Sequence, residues 1–168
     1  GTLDEQLMRR PFEHLLPETF VPRKIKRSYP EVSPVQPELE FFNGLGGFTS
    51  GGRHYVTILK EGQWTPAPWI NVIANNLNFG FLISESGGGY TWSENSRENK
   101  LTPWSNDAVS DPAGEVIYIR DDETGEFWTP TPLPVREKET YIIKHGQGYT
   151  EFDHTSHGIC TELQMFVP

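Results

Sequence analysis

Residues 115–134 read EVIYIRDDETGEFWTPTPLP, and their pattern decides the fold class. In EVIYIR, Val116, Tyr118 and Arg120 fall on one face and Glu115, Ile117 and Ile119 on the other, the period-two alternation of a strand. DDETGE then supplies a turn, and FWTPTPLP begins another run. The same order of short run and Gly/Asn/Asp turn recurs on both sides. ELEFF (38–42) precedes NGLGG and HYVTIL (54–59) precedes KEGQ, while TYIIKHG, GYTEFDHTSHGI and CTELQMFVP continue to residue 168. Antiparallel sheets are written this way. No internal repeat and no ten-residue helical pattern follows residue 38. The predicted class is all-β, an antiparallel sandwich.

Composition narrows the function classes. The chain has 168 residues, suited to one domain with a sizeable core. Apolar residues are only 35%, yet ten Phe, five Trp and six Tyr concentrate the hydrophobic area in large rings. Sixteen Gly and fourteen Pro oppose a helical bundle. A net charge of −9 argues against nucleic acid as a partner. The single cysteine, Cys160, excludes an internal disulfide framework and a cysteine-built zinc site, and fits a reducing compartment. No run approaches the roughly 20 apolar residues of a membrane span, and no secretion signal opens the chain.

The chain divides near residue 37. Segment 1–37 carries six prolines and the basic excess, and reads as a Pro-rich leader. DEQLMRRPFEHLL is expected to form one or two short turns. The basic run Arg23–Arg27 reads as a solvated linker lying on an acidic body. Residues 38–168 form the predicted β domain. ELQMFVP, an apolar strand at the last residues, is also what a truncated chain looks like.

Several motifs invite a chemical reading. NGLGG (Asn43–Gly47) is followed by a turn and a strand, not the helix that a phosphate loop needs, so a hairpin turn is expected. His154 and His157 in DHTSHG stand three apart, on opposite faces of a strand, and are expected to be structural and not metal ligands. Cys160 is expected in a buried strand, as a small apolar residue. The acids of DDETGE and SDPAGE are expected to be solvated turn residues, not a glycosidase pair. No metal and no cofactor is predicted.

YTWSENSRENKLTPWSND (90–107) and TPAPWINVIAN (65–75) remain. Flat rings can stack on the C–H faces of sugars while Asn, Arg, Ser and Asp reach hydroxyls. Equally, tryptophans fill cores, and Asn and Ser build loops. On composition alone the two readings stand level.

PAPWINVIAN, GYTWSENSRENKLTPWSND, GEVIYIRDDETGEFWTPTPLP and HGQGYTEFDHTSHGI, in this order and spacing, resemble the N-terminal β-sandwich of the glycoside hydrolase family 94 module of cyclic β-1,2-glucan synthases. Cellobiose and chitobiose phosphorylases are similar at greater distance. The resemblance covers residues 38–168. It implies a two-sheet supersandwich of the galactose mutarotase-like kind, here partial. In the family this sandwich precedes a helical linker and an (α/α)6 barrel that holds the general-acid aspartate and the phosphate site. It also implies a cytoplasmic location, with a parent protein anchored in the inner membrane, and a β-glucan oligosaccharide as ligand of the whole enzyme.

Carried over residue by residue, the resemblance makes Arg97 the leading substrate contact. Tyr90, Trp92 and Trp104 become walls, and Asn95, Asn99 and Asn106 hydroxyl partners. Ser93, Glu94 and Asn95 replace an aromatic-Arg-Asp sequence of the phosphorylases, so their disaccharide specificity does not carry over. Three roles follow as alternatives. They are a non-catalytic accessory domain, an autonomous carbohydrate-binding module, and a structural or homodimerising domain using its last strand.

Overall fold

The computed structural model describes Thr2, residues 28–30, Val32 and residues 34–168. The turns expected in DEQLMRRPFEHLL and the run Arg23–Arg27 lie outside the described residues. Among the described residues there are ten strands and no helix. In chain order they are β1 (Gly46–Phe48), β2 (His54–Leu59), β3 (Ile70–Ala74), β4 (Phe79–Ser84) and β5 (Gly89–Ser93). Then come β6 (Ile119–Arg120), β7 (Phe127–Trp128), β8 (Tyr141–Gly146), β9 (Tyr149–Ser156) and β10 (Ile159–Phe166).

Every strand pair is antiparallel. A five-stranded sheet runs β1-β2-β8-β9-β10, a three-stranded sheet runs β3-β4-β5, and β6 and β7 form a short ribbon. The larger sheet is built mainly from the β8–β9–β10 meander, whose turns carry Gly148 and Gly158 at positive φ. Along β9 burial alternates strictly, with Thr150, Phe152, His154 and Ser156 buried. On the intervening positions Lys144 of β8 pairs with Glu151 and Asp153.

The core lies between the two sheets. Ile73, Phe81 and Ile83 of the small sheet meet Leu59, Tyr141, Ile143 and Phe152 of the large one. Seven such side chains leaving water supply on the order of 10–20 kcal/mol before the entropy of ordering is set against it. On the other face of the large sheet, Val56, Ile58 and Ile142 are packed by Leu39. Asn71 of β3 ties the layers together: its side-chain nitrogen lies 3.0 Å from Gly146 O, 2.9 Å from Tyr149 O and 3.0 Å from Thr150 Oγ1.

The antiparallel all-β reading holds, and three local expectations are corrected. ELEFF supplies only the bridge of Glu40 to Phe48, because Phe41 turns to φ +53°. EVIYIR forms a strand only at Ile119–Arg120, and Val116, Ile117 and Tyr118 are exposed. Its alternation is genuine, but no neighbouring strand pairs with its first half. Cys160 is exposed, since β10 is the edge of the sheet and Cys160 sits opposite Thr155 on the side away from the core. NGLGG is the expected turn: Asn43 Oδ1 accepts from Leu45 N (3.0 Å) and Gly46 N (2.9 Å), so these amides are not available to a phosphate.

Candidate functional site

β5 places Tyr90 and Trp92 on the face of the small sheet that points away from Phe81 and Ile83. Trp92 lies across Gly80, where an added Cβ would come within 2.3 Å of the indole. Only 8% of Trp92 is exposed. The tilted rings of Tyr90 and Trp92 have centroids 5.7 Å apart, and Trp104 adds a third ring 5.1 Å from Tyr90. Trp92 is therefore the base of the cluster, while the partly exposed Tyr90 and Trp104 rings form its open part.

The intervening loop is held by its own polar groups. Asn95 Oδ1 accepts from Arg97 N (2.8 Å) and Glu98 N (3.0 Å), an Asx turn. Asn99 Nδ2 donates to Ser93 O at 3.0 Å. Leu101 N bonds Thr91 O at 2.8 Å, which lays the returning chain beside β5. Arg97 stands at the tip with its side chain 89% exposed, 3.1 Å from Glu98. Asn106 is exposed and has φ +49°.

Of the seven residues predicted from sequence, Tyr90, Trp92 and Trp104 come together. Arg97 and Asn106 extend into solvent, while Asn95 and Asn99 spend part of their polar capacity on the loop itself. Sequence reasoning missed Lys100, whose ammonium lies 5.2 Å from the centre of the Tyr90 ring. Lys100 stands in the motif, and strand return from the loop was the signal that would have found it. The PAPWIN tryptophan, Trp69, packs edge-on against Tyr55 instead.

Of the acids of SDPAGE, Glu115 is exposed as expected, but Asp111 requires a correction. Asp111 is buried beside the Gly87–Gly89 turn, where it accepts from Ser84 Oγ, which in turn accepts from Gly88 N at 3.0 Å. A Cβ on Gly88 would lie 2.2 Å from Asp111 Oδ1, so the triple glycine makes room for a carboxylate of its own chain. Burial pushes the Asp111 carboxyl up from its ordinary value. Burial does the same to Glu85, which accepts from Thr65 Oγ1 and, at 2.6 Å, from Trp69 N. These two acids anchor the chain around the turn.

The profile of the glycosyl hydrolase 94 supersandwich domain matches residues 53–168. The chain belongs to the glycosyl hydrolase 94 supersandwich domain family. A cyclic beta-(1,2)-glucan synthase of Rhizobium meliloti (strain 1021) is 47% identical over 116 residues, covering 68% of this chain and 4% of that protein. An N,N'-diacetylchitobiose phosphorylase of Vibrio furnissii is 33% identical over 126 residues, covering 73% and 15%. A solabiose phosphorylase of Paenibacillus borealis is 32% identical over 136 residues, covering 74% and 16%. The chain thus spans a small part of the curated relatives it matches.

Within this supersandwich domain a second polar constellation lies at the β9–β10 turn. β9 ends at Ser156, and His157, at φ +51°, bends the chain. As a result both histidines reach Glu137, despite their three-residue spacing. His154 Nε2 lies 3.0 Å from Glu137 Oε2, and His157 Nε2 lies 2.6 Å from Glu137 Oε1. Burial alone would raise the Glu137 carboxyl, but its hydrogen bonds to the histidines outweigh that and hold it at about 2. Both histidines are thus partnered by one carboxylate, although their three-residue spacing placed them on opposite faces. Among the described residues no helix is long and apolar enough to cross a membrane.

Proposed function

We propose that this chain is the non-catalytic supersandwich domain of a β-glucan-processing enzyme, and that Tyr90, Trp104 and the loop to Asn106 help wall its sugar site. The bond-breaking groups and a phosphate site belong, on this reading, to an (α/α)6 barrel of the same polypeptide. The observation that carries it is the open Tyr90–Trp104 pair, 5.1 Å between centroids, with the Lys100 ammonium 5.2 Å from the centre of the Tyr90 ring. Such rings offer apolar plates to sugar C–H faces, and the neighbouring polar groups match hydroxyls. Support also comes from the relatives, whose names speak of a glucan synthase and of disaccharide phosphorylases.

The test is a titration of the chain with linear β-1,2-glucan oligosaccharides, followed by tryptophan fluorescence. Saturable binding is expected, weakened about tenfold by Trp104→Ala, which corresponds to about 1.4 kcal/mol. Arg97→Ala should weaken it in the same direction. Binding indifferent to both substitutions would overturn this placement of the site, and release of sugar 1-phosphate by the pure chain would overturn the non-catalytic role.

A second reading has its own observation. β10 is the last strand of its sheet, and Ile159 and Phe166 on it are exposed. Strand addition there would make the domain a structural or homodimerising unit. A concentration-dependent dimer in light scattering, with no response to glucan, would favour that role.

A further inference from the structure

The meeting of His154 with two glutamates has a feature that an ordinary structural histidine does not need. His154 is 1% exposed. Its Nδ1 lies 3.2 Å from Thr140 O, a contact that only an N–H can satisfy. In the neutral ring Nε2 then carries the lone pair, and it faces Glu137 Oε2 at 3.0 Å. Two electron-rich atoms at that distance require a positive charge between them, which is either a proton or a metal ion.

The surroundings fit a metal. Donor atoms of Glu137, Glu139 and His154 all lie within 4.8 Å of one another. Ligands about 2.1 Å from one ion are about 3 Å apart at right angles and about 4.2 Å apart when opposite, so a small closure brings all three onto one centre. The supporting contacts are those that ligating groups use: a ring nitrogen on a backbone carbonyl, and a ligating carboxylate held by a further hydrogen bond. Thr140 O supplies the first and His157 Nε2, on Glu137 Oε1, the second. Tyr141 stacks parallel on the His154 ring, with centroids 3.7 Å apart, and fixes its plane. Glu137 and Glu139 also line a cavity of about 670 Å³, which gives the site access and room for water ligands. Arg136 and Lys138 line that cavity too. Arg136, however, donates to Lys60 O at 2.9 Å and lies over the Trp64 and Tyr141 rings, so it is held away from the carboxylates.

We propose that Glu137, Glu139 and His154 bind a divalent transition-metal ion of the zinc class through one imidazole and two carboxylates, with water completing the shell. The set of one nitrogen and two oxygen ligands suits that class better than calcium or magnesium, which take oxygen alone. The site uses none of the residues of the aromatic cluster and is independent of the sugar reading. Its role is to pin the 137–140 segment to β9.

The experiment is calorimetric titration of the untagged, chelator-treated 168-residue chain with Zn²⁺, with Co²⁺ absorption as a second readout. One saturable site is expected. Glu139→Gln should weaken it by about tenfold or more, with an unchanged near-ultraviolet circular dichroism spectrum, and Glu137→Gln should do the same. Cys160→Ser, which removes the exposed thiol, should leave the affinity unchanged. Absence of saturable binding would mean that a proton alone bridges His154 and Glu137, and would overturn the proposal. Binding unaffected by both glutamate variants, or lost in Cys160→Ser, would also overturn it.

Discussion

At the scale of single residues, His145 shows how burial decides chemistry. Its Nε2 lies 3.1 Å from Trp69 O and its Nδ1 3.1 Å from Thr150 Oγ1. Burial pulls its pKa down to about 4, and the bond to Trp69 only partly opposes this. The folded protein therefore keeps His145 neutral where the unfolded chain, near 6.5, takes up a proton. Between pH 6.5 and 4 the unfolded state binds more protons, so stability falls as the pH falls and the loss is complete below the folded value. The contribution is up to about 3 kcal/mol. Urea unfolding of the wild type and of His145→Gln across that range should give a stability difference that shrinks by this order on acidification. Glu85 and Asp111, whose carboxyls are raised, act in the opposite sense in both proteins and cancel from the difference. A pH-independent difference would contradict a neutral, half-buried His145. One partner of its ring, Thr150, is local, but the other, Trp69, stands 76 positions away, and sequence spacing does not reveal it.

At the scale of elements, the β4–β5 turn explains why three consecutive glycines stand before the aromatic cluster. Gly87 has φ +97°, Gly88 admits the Asp111 carboxylate, and a Cβ on Gly89 would lie 2.1 Å from Leu82 O. Three glycines in a row mark a place where the chain bends, but they do not show why the middle one is needed, since Asp111 approaches from 23 residues downstream. Gly88 is outside the left-handed region, so its backbone accepts alanine and only the space refuses it. Gly88→Ala should cost about 2 kcal/mol. Gly148→Asn, at φ +88° with nothing within 4 Å of an added Cβ, should cost under about 1 kcal/mol. Chemical denaturation of the two variants makes the comparison, and equal losses would remove the Asp111 explanation. The same distinction applies along EVIYIR. Alternation was read correctly there, but a strand also needs a partner, and only Ile119 and Arg120 find one in Trp128 and Phe127.

At the scale of the whole molecule, stability is concentrated where the two sheets face each other. Leu59, Tyr141 and Ile143 are fully buried on β2 and β8, and Phe152 on β9 is 1% exposed. The amides of these strands should exchange only through global unfolding. Those of the two-residue ribbon β6–β7 and of residues 105–118 should exchange at least about 100-fold faster, through local opening. Hydrogen exchange with mass spectrometry reads both, and uniform protection would contradict a single dominant inter-sheet core. Period-two runs, glycine and asparagine turns and the motif order were enough to determine an all-β domain of this family, because alternation and turn chemistry are local properties of the chain. They also located the aromatic stretch that carries the candidate sugar site. Tertiary structure alone decided that Trp92 underlies Tyr90, that Cys160 is exposed, that Asp111 is buried and that His154 meets Glu137 with Glu139 nearby. Each of those outcomes depends on which distant segment covers or faces the residue, and sequence spacing holds no record of that.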